Sequence, residues 1–109
     1  MVFLSALTGQ PDERLLEHGL PGCGLIREVI PTETTMTFES GAPETLCIFI
    51  LQVRLPAHAP YHTTVRQCVA PQRMSEIEPG QTLVAVRVDA RNPVHVAIDW
   101  DAPVVATDA

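Results

Sequence analysis

The chain of 109 residues contains no lysine, few aromatic side chains (5%) and no apolar run that approaches a bilayer's thickness. All seven of its cationic side chains are arginine, which reads as codon usage in a GC-rich genome more than as chemistry. A membrane helix needs about 20 consecutive apolar residues, so no span is expected. The longest N-terminal run, Val2 to Leu7, lacks the basic lead-in and small-residue cleavage site of a signal peptide. It is read as a first strand or as a tail packing on the core. Three cysteines, with no close-spaced pair, do not make a disulfide framework. Free thiols and a cytoplasmic location follow as expectations. Neither a glycine-rich phosphate loop, a nucleophile elbow, zinc-knuckle spacing nor an internal repeat is present.

The net charge of −6 bears on partners. Nucleic-acid binding draws on neutralised phosphates and so on a basic patch. Here Arg14, Arg27, Arg54, Arg66, Arg73, Arg87 and Arg91 are scattered among acids. Single-strand binding also needs exposed aromatics for base stacking, and only Phe3, Phe38, Phe49, Tyr61 and Trp100 exist. Nucleic acid is therefore not the expected partner.

What is present is β-strand patterning. Leu83–Val88 and Val94–Trp100 alternate with a two-residue period and are joined by the breaker-rich 89–93. Thr82, Val84, Val86 and Val88 line one face of the first strand. Val94, Val96, Ile98 and Trp100 line one face of the second, leaving Arg87, His95 and Asp99 for solvent. Ahead of these, Cys23–Ile30 reads as a strand ending at Pro31, and Thr34–Glu39 as another ending at the turn signal 40–43. Thr45–Leu55 is the longest strand. It is followed by the loop Pro56–Pro60 and a returning strand, Tyr61–Val69. Met74–Ile77 is a short connection or 3₁₀ turn before Glu78-Pro79-Gly80. Pro11–His18 is the one convincing helix: proline opens it, acids fill its first turn, and His18-Gly19 closes it. It is too short to hold alone in water, so Leu15, Leu16 and Leu20 must pack on the strands.

These elements define an all-β fold class, a small OB-like or SH3-like barrel of five or six strands with one short N-terminal helix. Residues 1–10 form a tail or strand, 11–100 a single domain with its leading helix at 11–18, and 101–109 a C-terminal tail. Leu15-Leu-Glu-His-Gly19, Pro21-Gly22, Gly41-Ala-Pro43, Pro60-Tyr61, Val65-Arg-Gln67, Glu78-Pro-Gly80, Val86-Arg-Val-Asp89, Asn92-Pro93 and Val96-Ala-Ile-Asp99 follow one another along the chain. In this series the chain resembles a group of small bacterial domains, frequent in actinobacteria, with an OB-like β-barrel and no assigned activity. Some of its members carry membrane segments. The resemblance covers about residues 11 to 100, and Ala90 stands where relatives often have proline. Its motifs are turns and strand ends, so it implies a fold and carries over no catalytic residue.

Candidate chemistry is thin. His58 and His62 have a metal-like separation on a helix, but Pro60 breaks any helix between them. Cys68, near Arg66, is a better nucleophile candidate than Cys47, which lies in an apolar run, or Cys23 at a strand start. None has a recognisable base. Asp99/Asp101 and Glu76/Glu78 would each share a strand face, yet paired acids need a desolvated cleft to do acid–base work. No catalytic, metal or cofactor-binding residue is therefore assigned, and no cofactor is expected. The expected function is a non-enzymatic binding or assembly module. It would meet a protein partner, or a second copy of itself, through a barrel edge or the helix side. A single-stranded nucleic-acid-binding barrel is the alternative, followed by a small-molecule enzyme. One geometric expectation is sharp. A loop centred on His58 sets Leu55 opposite Tyr61, Val53 opposite Thr63, Leu51 opposite Val65, Phe49 opposite Gln67 and Cys47 opposite Val69.

Overall fold

β1 (Leu20–Thr37) is the strand on which the others assemble. It runs antiparallel to β2 (Pro43–Arg54) on one side and, over Leu20–Leu25 alone, to β4 (Leu83–Asp89) on the other. β3 (Tyr61–Val69) pairs with β2, and β5 (Asn92–Asp99) with β4, giving the order β3-β2-β1-β4-β5 with every neighbour antiparallel. Among the described residues, two short helices, α1 (Glu13–His18) before β1 and α2 (Pro71–Met74) between β3 and β4, accompany the sheet of this mostly-β domain. The computed structural model describes residues 12–37 and 41–104. The expected N-terminal strand or tail, the role of Pro11, the end of the second expected strand at 38–39, Ser40 of the turn after it and most of the C-terminal tail lie outside those residues.

Two strands expected to be separated by Pro31 are one. The β1–β2 ladder runs through Pro31, which sits opposite Cys47. Beyond Leu25 no described strand lies on the other side of β1. An edge strand tolerates proline because one row of its amides has no ladder role. Register shifts between Ile26 and Glu28 and between Pro31 and Thr35 absorb the irregularity as bulges.

The β4–β5 hairpin is present with a tighter turn than expected. Asp89 pairs with Asn92, and its Oδ1 accepts the Arg91 N–H at 2.9 Å, the Asx arrangement that favours aspartate at a turn. Val88 pairs with Val96, so the ladder slips between Val88 and Asp89 and residues 93–95 bulge. Val94, expected on the buried face, is consequently 59% exposed.

The β2–β3 register is displaced by two residues from expectation: Val53 faces Tyr61, Leu51 faces Thr63, Phe49 faces Val65 and Cys47 faces Gln67. An even displacement leaves every side chain on its intended face. The cause is Leu55, which leaves the ladder to start the turn. Its carbonyl accepts the His58 N–H at 3.2 Å, and Ala57 takes a left-handed φ of 63°. The Leu55 side chain is buried against Gly22, where an added Cβ would lie 2.7 Å from Leu55 Cδ2. Leu46, not Cys47, lies opposite Cys68, and no disulfide joins the three cysteines.

The core holds Ile26, Phe49, Leu51, Val53, Val86, Val88 and Ile98, all essentially inaccessible. Each such side chain contributes roughly 1.5–3 kcal/mol relative to exposure. α1 is capped by Asp12, whose carboxylate accepts the Arg14 and Leu15 N–H groups, and it packs on β4 and β5. Arg87 ties it down by donating to the Gly19 carbonyl at 3.1 Å. α2 begins three residues before the expected connection at Met74, because Pro71 supplies a ready first helical position.

The sheet curls until β3 and β5, first and last in its order, touch. No ladder joins them among the described residues; side chains do. Tyr61 Oη donates to the Pro93 carbonyl at 2.6 Å, and Thr63 Oγ1 to the Val94 carbonyl at 2.8 Å. Gln67, only 2% exposed, uses both ends of its amide: Nε2 donates to the Ile98 carbonyl at 3.0 Å and Oε1 accepts the Ile98 N–H at 3.2 Å. A side-chain amide thus does for Ile98 what a neighbouring peptide group would do in a ladder.

Candidate functional site

The sequence candidates are scattered by the fold. His58 lies exposed in the turn after β2 and His62 on the exposed outer face of β3. Among the described residues no three His, Cys, Asp or Glu side chains gather as a metal set. The acid pairs do not share strand faces. Asp101 is beyond the end of β5, donating its N–H to Asp99 Oδ1 at 3.2 Å. Glu76 and Glu78 lie in the turns after α2, where the Glu78 N–H donates to Thr82 Oγ1 at 2.7 Å.

All three thiols are buried, which disfavours the thiolate. Burial pushes the Cys23 thiol up despite the opposing charge of Arg54. Burial also raises Cys47, with Cys68 adding to it, and raises Cys68, with Glu44 adding to that. Cys47 Sγ lies 4.0 Å from Met74 Sδ, a soft contact within the core wall.

Among the described residues, two places stand out as surfaces that could receive a partner or ligand. The first is a cleft of about 180 Å³ where α2 and the turns after it meet the start of β4 and the end of β5. One member of each expected acid pair, Glu76 and Asp99, lines it together with Arg73 and Trp100. Arg73 lies over the Trp100 ring, 5.2 Å from its centroid, and the ring also meets Phe49 in a T-shaped contact with centroids 5.7 Å apart. The Arg73 Nη1 bond to the Trp100 carbonyl is 3.5 Å long, at the limit for such a bond. Trp100 Nε1 is buried, and the described residues give it no acceptor. The sequence does not join Arg73 and Glu76 to Asp99 and Trp100, because the two pairs lie more than twenty residues apart.

The second is the edge of β1. From Arg27 to Thr37 no described strand flanks it on the side away from β2. Ile30, at 40% exposure, stands beside exposed Glu28 and Glu33 there. The sequence does not reveal this edge, since it appears only when β4 is found to stop at Leu25.

No helix among the described residues is long and apolar enough to cross a membrane. Comparison with protein-family models, with curated proteins and with solved structures finds no match to this chain.

Proposed function

We propose that this chain is a non-enzymatic binding or assembly module, an OB-like barrel that receives a partner polypeptide strand along the distal half of β1. The barrel reading rests on the strand order and on the seam, where β3 and β5 run in the same direction and touch, as in a partly open five-stranded barrel. The position of α2 between β3 and β4 agrees with it.

The observation that carries the binding role is the edge from Arg27 to Thr37, which no described strand flanks on the side away from β2. Such an edge offers a row of backbone donors and acceptors to an added strand, without needing special side chains. Exposed Glu28 and Glu33, in a chain of net charge −6, favour a partner strand with basic residues around an apolar contact for Ile30. Pro31 and the two bulges interrupt the edge, which restricts addition to one short strand and opposes open-ended stacking.

A photo-crosslinking amino acid at Thr34, in the full chain, tests this against the same group at Arg14 on α1. Products from the Thr34 position alone, of a mass that identifies either a second copy or another protein, support the edge. Products from the Arg14 position alone transfer the role to the helix side and overturn it.

A further inference from the structure

The cleft beside α2 contains both signs of charge, and they do not neutralise one another. Among the described residues the ion pairs all involve histidine, and none joins Arg73 to Glu76 or Asp99, although all three line the same cleft. A guanidinium and two carboxylates thus line one small space without a direct ion pair among them. A simple anion entering there meets two carboxylates, and a simple cation meets a guanidinium. A molecule with both charges a few bonds apart meets a partner at each end.

The donor side has a further feature. Arg73 is lightly held, by stacking on Trp100 and by one bond at the distance limit. The buried indole N–H of the ring it covers finds no acceptor among the described residues, which costs free energy. A carboxylate entering the cleft offers the guanidinium the bidentate partner it lacks among the described residues. The volume of about 180 Å³ is below the roughly 300 Å³ at which drug-sized pockets begin. Ile77 and Leu83 supply an apolar wall.

We propose that this cleft binds a small aliphatic α-amino acid as its zwitterion, with the carboxylate on Arg73 and the ammonium between Asp99 and Glu76.

The chain has a single tryptophan, so its one indole N–H resonance reports the site directly. The full chain is titrated with alanine, and in parallel with acetate and methylammonium, which carry its two charges separately, at constant ionic strength. Alanine is expected to shift the indole resonance saturably, with a midpoint at least tenfold lower than either single-charge probe. Arg73→Gln and Glu76→Gln are each expected to raise that midpoint tenfold or more. Glu76 is exposed, so its substitution keeps the test valid even if the Arg73 variant folds poorly. An indole resonance unmoved by alanine overturns the proposal, as does acetate matching alanine or a Glu76→Gln midpoint equal to that of the parent chain.

Discussion

Along the seam, β3 presents the side chains of Tyr61, Thr63 and Gln67 to the main chain of β5, whereas distal β1 leaves its own main chain from Arg27 to Thr37 with no described strand beside it. Both are edges of one sheet. At the seam the backbone is satisfied by inward-facing polar side chains, in a setting where an unpaired group is costly. At distal β1 the neighbouring side chains are mostly exposed, and water or a partner serves. The difference separates an edge closed by the fold's own side chains from an edge that no described strand closes.

Substitution at Gln67 tests this comparison most strongly. Gln67→Leu keeps the volume but leaves the N–H and C=O of Ile98 buried without partners. The expected loss is about 3 kcal/mol, read by chemical denaturation, with faster hydrogen exchange at the Ile98 amide. A loss below about 1 kcal/mol would mean that the seam is not held as described. Thr63→Val removes one bond, to a carbonyl that keeps a second lone pair, and is expected to cost about 1 kcal/mol by the same measurement.

The turn that delivers Tyr61 to the seam carries strain at Ala57, whose φ is 63°. Ala57→Gly relieves a left-handed conformation costing roughly 1–2 kcal/mol, less the greater chain entropy of unfolded glycine. A net gain of about 0.5 kcal/mol is expected. On the open edge, Ile30→Thr is expected to stay within about 0.5 kcal/mol of the parent while weakening any crosslink formed from Thr34. A stability loss as large as that of Gln67→Leu would show that the edge is covered after all.

The smallest effect concerns pH. The Arg91 backbone N–H, and then His95 at 3.4 Å, hold the Asp89 carboxyl below its ordinary value of 3.8. A depressed acid stabilises the fold fully above its unfolded value, and that share is lost as pH falls through the lower folded value. Asp89→Asn should therefore flatten the stability profile below about pH 4 and leave its neutral region unchanged in shape.

Strand faces were legible in the sequence, because alternation depends only on which side chains are apolar. Val84, Val86, Val88, Val96 and Ile98 could be placed in the core that way. Pairing was less legible. The two-residue displacement of β2 against β3 preserves every face, so no hydrophobic pattern distinguishes it, and only the packing of Leu55 on Gly22 decides. Pro31 misled for a related reason: a proline ends a central strand but not an edge, and edges are set by where distant strands stop. Gln67 did leave a signal. It occupies an inward position in the series Tyr61, Thr63, Val65, Gln67, Val69, and a polar residue there requires a buried partner. The cleft left none, since Arg73, Glu76 and Asp99 are brought together only by the β4–β5 hairpin docking near α2.

The use of β1 by two sets of strands has a kinetic consequence. Its ladder with β2 grows from the turn that joins them, but Leu20 meets Val88 only after everything between has been brought round. Local hairpins can form within microseconds, whereas closing that long loop must precede most of the contacts that reward it. The seam cannot form earlier, because β5 arrives with β4. Folding is therefore expected to be limited by docking of the β4–β5 hairpin onto β1, on the millisecond-to-second scale of other sheet proteins dominated by distant contacts. Substitutions in β5 should then act mainly on that slow step, and the β1–β2 hairpin should be the first part of the chain to resist exchange.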